Sequence, residues 1–549
     1  MKKIIMDVVI IGGGLSGLMA SLESKKDNLE VAIVSKSIAG KSGNTIVSGA
    51  AMASVNEINY DSEIIFKKDV NDSAKGINND EMTDFFCKES KKVVDVLTSY
   101  GVKFKKKDTQ YVTKQPPGHS VSRSFPVDIS EVAYHNRGLS ILNPILENVK
   151  SNKISIFNNT VALKIIKKAN RVLGVICLDK EKEELIVFVS KVVIIAAGGG
   201  GNVYSNTNNT RDITGDSYTL ALESGCELVD MEYVQFYPTM MFKPLKVTVS
   251  NPLFGEGAVL KNIHNREFMY DYSNKGNIAT RDSMAHAIYN EIKEGRGNPN
   301  YIYVDSTNIP EDIIEKKYKE FELLLNNREL SLMKDLLPVA PASHFYLGGI
   351  KINKKCETGI EGLLACGEAA CGVHGANRLS GNALTETVIF GIEAGKTAVY
   401  LIKNMKVESD DFDFIEKNST EYEKRIRFNK GEYSISELKN YLRNTMWEHA
   451  SVIRNKKSLI EGIEKIDKIK RKLSKVDIND THDYYKLYEL KNLLRISEMI
   501  LNGALLRKES RGSHYRKDFP SKNDEFRGNF VYKLKAEEIE ISFIKKESL

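Results

Sequence analysis

Three glycines in the run Gly12-Gly13-Gly14-Leu15-Ser16-Gly17 are spaced to hold a phosphate. In this spacing Gly12 permits a tight turn, Gly14 lets the backbone approach a pyrophosphate, and Gly17 lets the following helix pack on the preceding strand. The same three glycines alone would suit a turn of any α/β protein, so the flanks decide. Residues 6–11 are a short, β-branched apolar run that reads as a buried parallel strand, and Leu18-Met19-Ala20-Ser21-Leu22-Glu23 has a helical composition. A second such strand spans residues 29–34. Together they aim a helix N-terminus with unpaired amides at the phosphates of a dinucleotide. Two later stretches could complete such a site. Residues 191–201 are a buried strand ending in Ala196-Ala197-Gly198-Gly199, small enough for backbone to lie against a ligand at the strand's carboxyl end. Residues 363–368 are a strand whose terminal Glu368 can reach a ligand hydroxyl, and residues 374–386 then open a helix whose exposed amides suit a ring carbonyl.

The elements that position these groups follow from patterning. Residues 56–134 read as helical and polar, with a basic loop carrying Pro116-Pro117-Gly118-His119-Ser120. Strand-like runs at 154–157, 161–166 and 172–177 suggest a β-meander inserted before the chain returns to the main sheet. Between about 239 and 341 the pattern loosens into short mixed elements, which fits an inserted domain. A Lys/Glu-rich linker follows residue 405, and Ser434-Ile435-Ser436-Glu437 reads as a capping box. Three apolar stripes, from Leu438 to Ile453, from Leu459 to Leu473 and from Leu490 to Leu506, predict a helical bundle ending in a polar tail.

Composition narrows the class. The 549 residues are 42% hydrophobic and 28% charged, ordinary for a globular protein of more than one domain. A net charge of +6 on 79 basic and 73 acidic residues does not call for nucleic acid, and Lys105-Lys106-Lys107 reads as a solvated face. No stretch reaches the roughly 20 apolar residues of a membrane span. The expected location is therefore the cytoplasm, with any membrane contact made through a partner. Six scattered cysteines without a Cys-x-x-Cys indicate reduced thiols, and no metal site is expected.

These segments, in this order, resemble the flavoproteins of the succinate dehydrogenase, fumarate reductase and L-aspartate oxidase family over nearly the whole chain. Residues 12–17, 196–199, 344–349, 363–368, 374–386 and 509–516 carry the resemblance, as does Ser35-Lys36, which stands where a simple NAD site would have an acid. The resemblance implies an α/β fold with a Rossmann-like FAD-binding domain (1–238 and 341–405), an inserted α+β capping domain (239–340) and a C-terminal helical bundle and tail (406–549). For FAD it implies Gly12, Gly13, Gly14, Ser16, Gly17, Ser35, Lys36, Gly43, Asn44, Thr45, Ala162, Ala197, Gly198, Asp216, Glu368, Ala383 and Leu384. For catalysis it implies Arg281, which handles the substrate proton, with His344 and Arg378 gripping one carboxylate. An ion pair between Arg281 and Asp282 is the competing structural reading of that arginine.

Three departures bear on function. The family's covalent flavin histidine falls on Asn44, so FAD should be held without a bond. A histidine of the second carboxylate grip falls on Tyr237. The Thr-Glu pair and arginine that complete that grip and the proton relay fall on Ser250, Asn251 and Phe254; were fumarate, succinate or aspartate the substrate, Tyr237 and Ser250 would have to supply the second grip and Glu256 would be the first candidate for the relay acid. The expected activity is hydride transfer between flavin N5 and a carbon next to the carboxylate-bearing carbon of a small carboxylate. The expected substrate has one carboxylate, its other end larger, neutral or apolar. L-aspartate oxidation is the alternative, as is an electron-transfer flavoprotein subunit without its own substrate. The chain signals no second redox centre, so an iron-sulfur or other redox partner is expected.

Overall fold

The computed structural model describes residues 1–249, 252–405 and 411–546. Its central sheet is parallel and five-stranded, in the order Leu363–Ala365, Val192–Ile195, Val8–Ile11, Val31–Val34, Ser155–Phe157. The three middle strands are apolar and buried along their whole length, packed against helices Leu15–Lys25 and Asn382–Asn404 and against strands Thr160–Lys168 and Arg171–Asp179. Helix Leu15–Lys25 crosses helix Asn382–Asn404 at two glycines. A Cβ on Gly391 would lie 2.7 Å from the Ser16 carbonyl oxygen and one on Gly395 2.8 Å from that of Ala20.

Ser155–Phe157 is therefore the edge of the main sheet and not the first strand of a meander. The separate sheet runs Lys2–Ile5, Glu184–Val189, Arg171–Asp179, Thr160–Lys168, with the N-terminal strand parallel to its neighbour. Helix Asp411–Glu423 covers it, burying Ile415 and Tyr422 against Leu163 and Leu178. The stretch read as helical with a basic loop forms α-helices only as far as Val93–Ser99. Beyond them lie a hairpin, Lys106–Lys107 with Gln110–Tyr111, and strand Ser124–Pro126 paired to Ala51–Ala53.

A second hydrophobic core, from Met241 to Val339, is built apart from the first. Two long antiparallel strands, Val234–Met241 and Leu337–Tyr346, tie it to the rest, registered Val234 to Tyr346 and Met240 to Ala340. The C-terminal stripes fold as helices Ile435–Ala450, Lys456–Lys472 and Thr481–Leu506. The capping box is not formed: Ser434 Oγ meets Ser436 Oγ at 2.9 Å and makes no bond to the helix amides. Asn455 and Asp480 cap the next two helices, accepting from the Ser458 and Asp483 amides. The polar tail is a hairpin, Gly528–Lys535 with Glu538–Lys545, docked on Leu228–Val229 through buried Phe530, Val531 and Tyr532. All six cysteines are buried and unpaired. No helix among the described residues is long and apolar enough to cross a membrane.

Candidate flavin and carboxylate site

Gly12 has φ +121°, and a Cβ there would lie 2.2 Å from the Ala196 carbonyl oxygen, so the phosphate loop and the turn after Val192–Ile195 touch backbone to backbone. A Cβ on Gly17 would lie 2.0 Å from the Gly12 carbonyl oxygen, which fixes how closely helix and strand approach. Gly14 is different. It is the N-cap of Leu15–Lys25, no side chain caps that helix, and nothing stands within 3.9 Å of where its Cβ would be. Of the first-turn amides Leu15 N–H makes a long contact to Thr45 Oγ1 at 3.5 Å, and the turn faces a cavity of about 660 Å³, a placement suited to an anion. Helix Asn382–Asn404 likewise starts uncapped at Gly381 (φ +87°), with Ala383 and Leu384 in the cavity wall. Of the residues expected to hold FAD, all but Gly17 line this one cavity.

At one end Lys36 Nζ bridges Asp216 at 2.8 Å and Glu489 at 3.0 Å. Burial works against the charge on Glu489, yet Lys36 and Lys439 hold its carboxyl down to about 2. Lys36 therefore reaches the cavity as part of a neutralised cluster. Glu489 comes from the C-terminal helix Thr481–Leu506, so no local pattern could have found it. Asn44 is fully engaged: its Nδ2 donates to Asn209 at 2.9 Å and Glu368 at 3.0 Å, and its Oδ1 accepts from the Thr210 amide. Burial pushes Glu368 up to about 7, opposed by the hydrogen bonds from Asn44 and the Tyr346 amide.

The other end is cationic. Arg281 opens helix Arg281–Lys293 and its guanidinium lies 5.2 Å from the Tyr237 ring, with Nη2 3.4 Å from Ser380 Oγ. It makes no ion pair among the described residues; Asp282 instead accepts from Asn377 Nδ2 at 2.9 Å. Buried Arg378 donates Nε and Nη2 to Gln235 Oε1, at 3.2 and 2.9 Å, and lies over Phe345 at 4.5 Å. His344 is brought in by the strand Leu337–Tyr346. Burial, and then Arg378 and Arg281, hold its pKa well below the usual range, so the ring is neutral. Its Nδ1 meets the Asn208 side-chain amide, 2.9 Å from Nδ2 and 3.3 Å from Oδ1. One buried and one half-buried guanidinium thus converge with a neutral imidazole, and none of the three makes an ion pair among the described residues, an arrangement suited to an anion.

The remodelled half is neutral. Tyr237 turns its hydroxyl to the Val249 carbonyl at 3.1 Å, and Phe254, on the short helix Pro252–Gly255, is buried in the wall. Ser250 and Asn251 lie outside the described residues. Glu256 does not serve as a substitute relay acid, because Lys317 holds it at 2.7 Å and it is not part of the cavity wall. Lys105, read as solvated, lines the cavity with Lys114 and Arg137, while Lys106 and Lys107 are exposed. Gln235 and Asn208, which orient Arg378 and His344, carried no motif.

A parallel sheet with a glycine phosphate loop, closed over by a second core that carries cations to the same cavity, defines an FAD-dependent oxidoreductase with a capping domain. Residues 7–384 match the family model described as FAD binding domain, and residues 439–546 that of fumarate reductase flavoprotein C-term. The chain belongs to the family of FAD flavoproteins that includes fumarate reductases, succinate dehydrogenase flavoprotein subunits and L-aspartate oxidases. It is 36% identical over 536 residues, 96% of each chain, to an uncharacterised FAD-dependent oxidoreductase of Methanocaldococcus jannaschii. It is 32% identical over 547 residues, 97% of each chain, to one subunit of the fumarate reductase (CoM/CoB) of Methanothermobacter marburgensis. The E. coli quinol fumarate reductase flavoprotein, solved as a point variant, shares the fold, with TM-score 0.92 at 24% identity over 100% of this chain and 98% of that one.

Proposed function

We propose that this chain oxidises or reduces the carbon-carbon bond beside the carboxylate of a small acid. The observation that carries this reading is the pair of arginines beside neutral His344, buried Arg378 and half-buried Arg281, which make no ion pair among the described residues. Bound FAD supplies the hydride donor or acceptor. The amides after Gly14 and Gly381 are placed for its phosphates and ring carbonyl, and hydrogen-bonded Asn44 holds it without a covalent link. Arg378 and His344 grip one carboxylate. Arg281 moves the proton at the neighbouring carbon, and the Ser380 hydroxyl is the polar side chain in reach of its Nη2. Where the substrate passes Tyr237 and Phe254 it carries no charge, since a carboxylate there would be desolvated without a full partner, at a cost of several kcal/mol.

A redox partner, an iron-sulfur protein or another, exchanges electrons with the flavin in this reading. L-aspartate oxidation is the second reading, supported by relatives of that name and by an Asn44 that forms no flavin bond. The test is anaerobic reduction of the purified protein followed by reoxidation against a panel of enoates. Rapid flavin reoxidation by a monocarboxylate enoate supports the proposal. Turnover of fumarate or succinate with kcat/KM above about 10⁴ M⁻¹s⁻¹ overturns the uncharged far end, and turnover of aspartate at that level favours the second reading.

A further inference from the structure

The cavity wall that holds Tyr237 and Phe254 also carries Lys105, Lys114, Arg137 and Lys317, and a passage of neighbouring side chains links the two groups. Tyr134 lies within electrostatic reach of Tyr237 and of Tyr318, Tyr318 of Glu256, and Glu256 of Lys114, which also feels Lys105 and Lys317. Arg137 stands in this passage with its guanidinium 4.1 Å from the Tyr134 ring and Nη2 3.3 Å from Thr248 Oγ1. The acids nearby are few. Glu256 is taken up by Lys317 at 2.7 Å, Asp128 neighbours Lys105, and Glu320 is in the wall. Among the described residues Lys105, Lys114 and Arg137 make no ion pair.

Isolated surface lysines are solvated and imply nothing. These differ because they crowd one concavity: burial lowers the pKa of Lys114, and the charges of Lys105 and Lys317 lower it further. Like charges brought together in a partly desolvated wall repel, and an anion placed among them relieves that repulsion more effectively than it would at an open surface.

We propose that Lys114 and Arg137, with Lys105 beside them, form a second anion site for the far end of an elongated substrate. That substrate has a carboxylate at Arg378 and His344, an uncharged middle passing Tyr237 and Phe254, and a carboxylate, sulfonate or phosphate at the outer end. The assignment rests on the carboxylate grip proposed above. It also explains how an anionic substrate is drawn to an inner site whose wall is aromatic, since a basic entrance raises the local anion concentration.

The test is a titration of the flavin absorbance of the holoenzyme with saturated diacids from succinate to sebacate. Each is paired with the monocarboxylate of equal chain length and, at the best length, with the ω-sulfonate and ω-phosphonate. The expected result is an optimum at a long diacid or its ω-analogue, bound roughly five- to tenfold more tightly than its monocarboxylate. That ratio should fall to near one in the double variant Lys114→Gln, Arg137→Gln. It should largely persist in Lys114→Arg, Arg137→Lys, with flavin content reporting that each variant is folded. Diacids and monocarboxylates binding alike at every length, or an advantage that survives in the glutamine variant, would overturn the outer site while leaving the inner grip standing. A flavin that responds to no carboxylate of either kind would overturn both.

Discussion

Arg378 is held by the shape of its side chain as much as by its charge. Nε and Nη2 converge on one Gln235 oxygen, which turns the rest of the planar group toward the cavity beside His344. Lysine would keep the charge and lose the fork, so Arg378→Lys should cost on the order of 2–4 kcal/mol in kcat/KM on the true substrate. FAD content should hardly change. An unaltered kcat/KM would show that Arg378 does not touch the substrate. Asn44 makes a sharper prediction. An amide that donates to Asn209 and Glu368 is no nucleophile, so acid precipitation should release the yellow chromophore into the supernatant. Flavin that stays with the pellet would disprove the non-covalent reading. Both residues were visible in sequence because each sits at a fixed offset in a motif. Lys114 and Arg137 sit in no motif, and their role emerges only from the cavity they share with Arg378.

Helices and strands set the tolerances of the site. Leu15–Lys25 can approach its strand only because Gly17 has no Cβ, and Gly17 is the one expected cofactor residue that does not line the cavity. Gly17→Ala should therefore act through packing. The added methyl must displace the helix or the Gly12 carbonyl, with an expected loss of about 1–3 kcal/mol in stability and weakened FAD retention. Thermal unfolding with flavin absorbance would check it, and a variant with unchanged Tm and full flavin content would contradict the packing role. The long strands Val234–Met241 and Leu337–Tyr346 work differently. They carry Tyr237 and His344 to one place, ring centroids 5.4 Å apart, while tying the second core to the first. Their residues look unremarkable one at a time. Pairing in register brings them together.

At the scale of the whole molecule, the C-terminal bundle closes on the cofactor cavity through Glu489, which meets Lys36 from the end of the second parallel strand. The folded carboxyl lies near 2, below its ordinary value of 4.5, because Lys36 and Lys439 outweigh burial. A depressed carboxyl stabilises the fold above its unfolded pKa, and that stabilisation is lost as pH falls from about 4.5 toward 2. The amount is on the order of 3 kcal/mol. Glu489→Gln should therefore lower Tm at neutral pH and flatten the dependence of Tm on pH below about 5. It should also loosen FAD, since it leaves Lys36 held by Asp216 without the bundle's carboxylate. Parallel Tm-versus-pH curves for the two proteins would show that the cluster does not couple bundle to cavity.

Local chemistry written in the sequence determined the phosphate loop, the parallel strands and the three C-terminal helices, because glycine spacing and apolar periodicity act over a few residues, whereas Arg281, His344 and Arg378 were singled out by the family resemblance. Short or charged strands were beyond that reach. Glu538–Lys545 reads as a polar tail since only alternate side chains are half-buried, and Ser155–Phe157 joins the main sheet through a partner far away in the chain. The tertiary structure alone decided that Glu256 is held by Lys317, that Glu489 neutralises Lys36, and that Lys105 faces a cavity while Lys106 and Lys107 face solvent. Each of these is an electrostatic relation between groups distant in sequence, and charge acts through space rather than along the chain.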